Sequence, residues 1–367
     1  MTLVTIRKII SSGEGIGWSD GVTYFVPGVI PGETVEILAD RPVRRARRAT
    51  DLRVVEPVPL RKEPPCPLFG RCGGCDLLHM PYELQRETKL SILKDLFHQQ
   101  KVQLAIEPQF VPLPEFGLRT RTKVRILDGL PTFSRRASHE RIPFDRCPLI
   151  HPALNDIVRT DAAARKGGEI SYEYAPRSGG WSPRDPMVEK WVKNESFCVS
   201  HGSFFQASEE GASALVDLLE RTLDEERPAT MLDLFCGVGL FSRFAARRGV
   251  TVTGVELSES AAADFTANLG NGARFVRADL ERDTELPDAD LVVADPPRTG
   301  LPERLATAIV SSGAGTVLLV SCDAATFVRD TERLRRAGRF TLRSLTIVDQ
   351  FPATRHLEVA ALLKRET

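Results

Sequence analysis

The sequence predicts a multi-domain α/β protein that ends in a doubly wound, mostly parallel sheet. Three observations carry this. Strand-like and helix-like runs alternate from about residue 201 to the C-terminus. One apolar run, LDLF, leads directly into a glycine loop and the start of a helix. The first 58 residues, by contrast, are short alternating runs with Gly and Pro between them. A length of 367 residues suits two or three domains.

In order, residues 1–58 read as a small β-barrel built from VTIRKI, TYFVPG, ETVEIL and ATDLRVVEP, punctuated at Gly13, Gly15, Gly28 and Gly32. Pro57, Pro59, Pro64 and Pro65 make a stiff exit, and a cysteine-rich loop runs from Cys66 to Cys75. The pattern turns helical from Tyr82 to Gln100, with Leu93, Leu96 and Phe97 on one apolar face. From about 105 to 200 the chain is strand-rich and basic, so residues 59–200 are expected to form the cysteine loop and a β-rich central domain. In residues 201–367, Ser208 caps a helix with apolar positions Leu215, Leu218, Leu219 and Leu223. Strands TMLDLF, TVTGVE, ARFVRA, DLVVADPP and TVLLVSC then alternate with helices near 240–248, 258–269, 302–312 and 325–337. Two last strands follow, near 340–348 and 356–363.

Lys plus Arg and Asp plus Glu both number 49, so the whole chain is no polycation. The cations are unevenly placed, however. Arg41, Arg44, Arg45, Arg47 and Arg48 crowd one stretch. Arg119, Arg121, Lys123 and Arg125 alternate in RTRTKVRI, a spacing that puts all four on one face of a strand. Clustered cations suit a polyanion such as RNA, the alternative being a solvated strand face. No apolar run approaches the ~20 residues of a membrane span, and the start offers no cleavable signal, so a cytoplasmic location is expected. Seven cysteines, an odd number, argue against a disulfide framework and for a metal centre plus a catalytic thiol.

The glycine loop holds Gly237 and Gly239, which allow a tight turn close to a ligand. A dinucleotide site would carry a third glycine where Ser242 stands. Asp233, on the strand before the loop, suits a cationic amino-acid moiety better than a pyrophosphate. Glu256 closes the second strand, where it can take ribose hydroxyls, and Asp279 closes the third, where it can accept from an adenine amine. These acids fit S-adenosyl-L-methionine. Asp295 follows the fourth strand and is stiffened by Pro296 and Pro297, placing it to bond a reacting ring or the cofactor, while Gln206 can add an amide contact.

Cys322 ends the fifth strand, and Glu358 is a charge inside the apolar run HLEVAALL. Together they supply what methylation at carbon 5 of uracil needs. Addition of a thiolate to carbon 6 makes carbon 5 nucleophilic, and a base must afterwards remove the carbon-5 proton. Cys322 is the candidate nucleophile and Glu358 the candidate base.

The motifs GSFFQ, LDLFCGVG, GVE, DPPRTGL, VSC and FPATRHLEVAALL stand in an order that resembles the RNA uracil-C5 methyltransferases across nearly the whole chain. The resemblance implies an N-terminal TRAM domain, an OB-like RNA-binding β-barrel, then a Rossmann-like methyltransferase domain, with Cys322 as nucleophile and Glu358 as base. It further implies an S-adenosylmethionine site lined by Gln206, Phe235, Gly237, Glu256, Asp279 and Asp295. Four thiolates at Cys66, Cys72, Cys75 and Cys147 can hold zinc or iron–sulfur on spacing alone, and the resemblance points to a 4Fe-4S cluster. It also implies an rRNA substrate, with tRNA as the alternative. A monomer is expected. In the family Asn-Pro usually follows the nucleophile, and Asp323-Ala324 stands here. A carboxylate beside a thiol opposes thiolate formation unless it points away. Leu240 replaces an Asn frequent in the family's loop. The rival readings are a cytosine-C5 methyltransferase, which would place Pro-Cys where DPPR stands, a non-catalytic iron–sulfur RNA-binding factor, and an NAD enzyme disfavoured by Asp233 and Ser242.

Overall fold

The computed structural model describes residues 2–283 and 285–366. The chain opens with a closed five-stranded barrel, ordered β1-β2-β3-β5-β4: β1 Thr2–Ile9, β2 Gly15–Ser19, β3 Val22–Val26, β4 Thr34–Val43 and β5 Ala46–Glu56. Alternation puts Val4, Ile6, Tyr24, Val26 and Val35 in its core. The strand β2 corrects the sequence reading, which took Gly15 as punctuation. In that strand a Cβ on Gly17 would stand 2.5 Å from the carbonyl oxygen of Thr5, so glycine there permits two strands to close tightly.

The cysteine loop follows, and then helix α1, Tyr82–Gln99, and strand β6, Gln109–Val111. Leu93, Leu96 and Phe97 of α1 are buried in the same core as Leu232, Leu234 and Val317 of the C-terminal sheet. The chain thus reaches the C-terminal sheet before the middle sheet is built. That middle sheet, ordered β11-β10-β7-β8-β9, comprises β7 Arg121–Leu127, β8 Leu130–Ser134, β9 Arg141–Pro143, β10 Gly167–Tyr174 and β11 Trp181–Ser182. Helix α2, Pro152–Ala163, which the strand-rich reading missed, covers it with Leu154 and Val158 packed on Val124 and Ile126. A hairpin of β12 Met187–Val192 and β13 Glu195–Ser200 closes the middle region.

The remaining elements are α3 Glu209–Glu226, β14 Thr230–Leu234, α4 Leu240–Arg247, β15 Thr251–Glu256, α5 Glu259–Leu269, β16 Arg274–Arg277, β17 Leu291–Ala294, α6 Glu303–Ser311, β18 Thr316–Ser321, α7 Ala324–Gly338, β19 Phe340–Val348 and β20 Glu358–Arg365. They form an eight-stranded sheet in the order β16-β15-β14-β17-β18-β20-β19-β6. The first five are parallel, β20 runs antiparallel between β18 and β19, and β6 pairs parallel with β19 at the far edge. Because β20 is reversed, its first residue lies at the edge where the parallel strands end. No helix among the described residues is long and apolar enough to cross a membrane.

One buried ion pair ties α1 to the loop before β20. Lys89, wholly buried, donates to Asp349 Oδ1 at 2.5 Å and to the Phe351 carbonyl at 2.8 Å. Removing one member of such a pair strands the other charge away from water. Lys89→Met is therefore expected to destabilise the fold by about 3–5 kcal/mol. Adding Asp349→Leu should restore most of that loss, as read from the denaturant midpoint.

Candidate active site

The order of the sheet reverses between β14 and β17, and ligands in such sheets bind beyond the carboxyl ends of the strands at that point. The glycine loop emerges there. Phe235 takes a left-handed backbone, φ 60°, that a side chain rarely adopts. Gly239 has φ 91°, and a Cβ on it would lie 2.4 Å from Leu269 Cδ1, so only glycine lets the loop pack on α5.

Asp233 is buried beneath this loop. Its Oδ2 accepts from the Ser242 amide at 3.0 Å and hydroxyl at 2.7 Å, so Ser242 pins the start of α4 to β14. Burial, opposed by Ser242 but reinforced by the nearby carboxylates of Asp295 and Glu256, pushes its carboxyl up to about 7. Its Oδ1 is buried with no hydrogen-bond partner, an open acceptor that a cationic amino-acid moiety would satisfy. Glu256, at the end of β15, accepts from the Gly237 amide at 3.3 Å and from the amides of Leu257 and Ser258. Asp279 lies two residues beyond β16 and accepts from the Glu281 amide at 3.0 Å. A narrow cavity against the loop is lined by Gln206, Phe235, Gly237, Leu240 and Asp295 among others. Leu240 is the first residue of α4 and is buried, contributing apolar surface where an Asn would offer an amide.

Cys322 follows β18 and Glu358 begins β20. Ser321 pairs with Val359 across these strands, so the next step outward brings Cys322 beside Glu358. The thiol is half-buried. Burial and the carboxylates of Glu358 and Asp295 push it up to about 11, and the guanidinium of Arg298 works against them. Burial, with Asp295 nearby, raises the Glu358 carboxyl well above the usual range. Burial raises Asp295 too, while Gln206, donating from Nε2 at 2.9 Å, favours its ionised form. A thiol, two carboxyls and one guanidinium thus meet at a single edge of the sheet. The sequence reading quoted Arg298 within its motif but gave it no role. Its signal was a cation directly after the paired prolines. His356 was also passed over. Burial and the cations of Arg298 and Arg355 hold its imidazole down to about 4, so it is neutral at physiological pH.

The carboxylate next to Cys322 is taken up in a helix cap. Asp323 is the N-cap of α7, its Oδ1 accepting from the amides of Ala325 at 3.1 Å and Thr326 at 2.9 Å. Asp and Asn are equally good in that position, so Asp323 serves as the cap of α7 and its carboxylate is bonded to backbone amides. Asp323→Ala is expected to destabilise by about 1 kcal/mol. Asp323→Asn should change neither the melting temperature nor the pH dependence of activity.

The four sequence-predicted cysteines line one cavity of about 260 Å³, with Leu78 and Leu149 among the apolar residues around them. None of the four is in a disulfide. The Gly74 amide donates to Cys72 Sγ at 3.4 Å, and the amides of Leu149 and Ile150 stabilise the Cys147 sulfur. Burial and the neighbouring thiol of Cys147 push Cys75 up to about 12. Among the described residues no group of three or more His, Cys, Asp or Glu side chains is gathered for a single metal ion. The loop also touches the active-site edge. The amides of Asp76 and Leu77 both donate to the Ala353 carbonyl, at 3.0 and 2.9 Å, and Asp76 Oδ2 accepts from the Arg355 amide at 3.1 Å.

The basic stretches are divided in use. Arg47 pairs with Asp40 and Arg48 with Glu14, whereas Arg41, Arg44 and Arg45 are exposed and make no ion pair among the described residues. On β7, Arg121 and Lys123 face Glu173 and Glu169 of β10. Arg119 lies before β7 and stands over the Phe351 ring at 5.9 Å, so the expectation of four cations on one strand face is corrected to three. The strand begins only at Arg121, because Arg119 is drawn into a bridge with Ile150 instead.

A family profile described as tRNA (Uracil-5-)-methyltransferase matches residues 251–366. The 23S rRNA (uracil(1939)-C(5))-methyltransferase RlmD of Pseudomonas aeruginosa is 31% identical over 430 residues, covering 98% of this chain and 93% of that protein. The RlmD protein of Chromohalobacter salexigens is 28% identical, covering 99% and 89%. The crystal structure of a Pyrococcus abyssi tRNA (uracil-54, C5)-methyltransferase in complex with S-adenosyl-L-homocysteine superposes with a TM-score of 0.78 over 98% of this chain and 99% of that one, at 23% identity, a likeness of fold. With a thiol and a buried carboxyl side by side at the edge of a methyltransferase sheet, the chain belongs to the S-adenosylmethionine-dependent RNA uracil-C5 methyltransferase family.

Proposed function

We propose that this protein forms 5-methyluridine in 23S rRNA. The observation that carries the chemistry is the meeting of Cys322 and Glu358 across the β18–β20 register, beside Asp295 and the glycine loop. The RlmD relatives favour rRNA over tRNA. In this reading Cys322 Sγ, as thiolate, adds to carbon 6 of the target uracil, and Arg298 steadies the developing anion. S-adenosylmethionine, when bound, supplies an electrophilic methyl on a positive sulfonium. Gln206, Phe235, Gly237, Glu256 and Asp279 hold that cofactor, with Asp233 Oδ1 open to its amino group. Asp295 meets the ring. Once carbon 5 is methylated, Glu358 takes its proton, the carbon 5–carbon 6 double bond re-forms and the Sγ–carbon 6 bond breaks.

Residues 1–58 act as a TRAM-type RNA-binding barrel, residues 59–200 as the cluster-bearing central domain and residues 201–367 as the methyltransferase domain. Cys66, Cys72, Cys75 and Cys147 hold a 4Fe-4S cluster that orders the loop leading to Glu358. The protein works as a cytoplasmic monomer.

The test is methylation of total RNA from a strain lacking 5-methyluridine, using anaerobically purified protein and methyl-labelled S-adenosylmethionine. Labelled 5-methyluridine in the 23S fraction is the expected result. Label confined to tRNA would move the substrate, and labelled 5-methylcytidine would overturn the base assignment.

A further inference from the structure

Two glutamines stand in series behind Asp295. Gln206 Nε2 donates to Asp295 Oδ2 at 2.9 Å, and Gln350 Nε2 donates to Gln206 Oε1 at 3.1 Å. Gln206 is nearly buried and Gln350 wholly so. A primary amide has one accepting end and one donating end, so fixing either end fixes the other. The direction of the whole series therefore depends on what orients Gln350.

Two features do so. Its Oε1, buried without a hydrogen-bond partner, lies against Gly211 in the first turn of α3, where a Cβ would stand only 2.3 Å away. Glycine at 211 makes room for the amide. The N-terminal turn of an 18-residue helix carries the positive end of its dipole, which favours an oxygen there over an NH2 group. Both neighbours of Gln350 are also tied to Lys89, which bonds the side-chain carboxylate of Asp349 and the backbone carbonyl of Phe351. Gln350 thus points its NH2 at Gln206, and Gln206 points its NH2 at Asp295. The reversed series would present an amide oxygen to Asp295 and require a carboxylic acid there.

We propose that Gln350 is a specificity-determining positioning residue, which keeps Asp295 a hydrogen-bond acceptor toward the target base and so selects uracil over cytosine. The inference rests on the reading of Asp295 as a contact to the ring. Uracil carries a proton on N3 and can donate to a carboxylate. Cytosine has a lone pair on N3, which a carboxylate repels and a carboxylic acid would accept as a partner. Gln350 touches neither base nor cofactor and acts through Gln206.

The test uses the full-length protein and the rRNA fragment methylated in the assay above, transcribed with uridine or with cytidine at the methylated position. Gln350→Glu places an acceptor against Gln206 and reverses the series, and Gln350→Met removes the orienting group at similar volume. For Gln350→Glu, kcat/KM on the uridine fragment is expected to fall roughly 10- to 100-fold, the range for one mispaired buried hydrogen bond. The acid limb of its pH profile should move upward, and 5-methylcytidine should appear on the cytidine fragment. Gln350→Met should show a smaller loss of uridine preference. Both melting temperatures are measured alongside, so that Gln350→Met decides the matter if Gln350→Glu does not fold. A folded variant with the wild-type uridine-to-cytidine ratio and pH profile would overturn the proposal. Absence of 5-methyluridine from every RNA treated with the wild-type protein would instead remove the reading beneath it, and the proposal with it.

Discussion

Cys322→Ala is expected to lower 5-methyluridine formation by roughly 10⁴-fold or more and to abolish any protein–RNA bond that survives denaturation. Carbon 5 of uracil is too weak a nucleophile to be methylated without prior addition at carbon 6, and among the titratable groups gathered at this edge only the Cys322 sulfur is suited to that addition. The pH dependence carries the same argument. Burial and two carboxylates hold the thiol up to about 11, so the thiolate is a small fraction at neutral pH and grows about tenfold per pH unit. The kcat/KM of the free enzyme should therefore climb between about pH 6.5 and 9. Arg298 is the cation that opposes this rise in the thiol's pKa, so Arg298→Gln should lower the rate at neutral pH and displace the profile to higher pH. A flat wild-type profile over that range would count against thiolate addition as the limiting event. Preserved methylation in Cys322→Ala would end the assignment outright.

Glu358→Gln is expected to reduce turnover by about 10²–10⁴-fold while allowing a methylated, covalently attached RNA to accumulate. The reason lies in the order of bond changes. The Sγ–carbon 6 bond breaks only as the carbon-5 proton leaves, so loss of the base halts the reaction after methylation. Gln keeps the shape of the side chain in its buried place at the head of β20. The measurement is a denaturing gel with labelled RNA, where a shifted band should appear for Glu358→Gln and vanish when Cys322→Ala is added. Lost turnover with no shifted band would place Glu358 before the carbon–sulfur bond forms, as the acceptor of the thiol proton.

Much of this was legible in the residues because the signals are local. The alternation of βα units, the cap at Ser208 and the apolar face of Leu93, Leu96 and Phe97 reflect neighbours within a turn or two of chain. Other features were hidden because their partners are distant in sequence. Gly15 looks like a turn until β2 is seen to close a barrel. Ser242 looks like a missing glycine until it is found bonded to Asp233. Asp323 looks adverse to a thiolate until it is seen to cap α7, its Oδ1 bonded to backbone amides. Lys89 sits 260 positions from Asp349, and nothing in either residue's surroundings announces the pair.

By itself, the sequence determined which residue types stand at the ends of which strands, since a strand's limits and the residue that follows it are set by nearby chain. That was enough for the sheet, the glycine loop, the four-cysteine pattern and the choice of Cys322 and Glu358 as a pair. The tertiary structure alone decided how those ends meet. The reversed direction of β20 brings Glu358 to Cys322, and the sheet order places Asp295 beside them. The packing of α3 against the loop before β20 aims Gln350 at Gln206. These relations depend on burial and on contacts between residues far apart in the chain, where removal from water makes an ionisable group's neighbours, more than its own chemistry, set its charge.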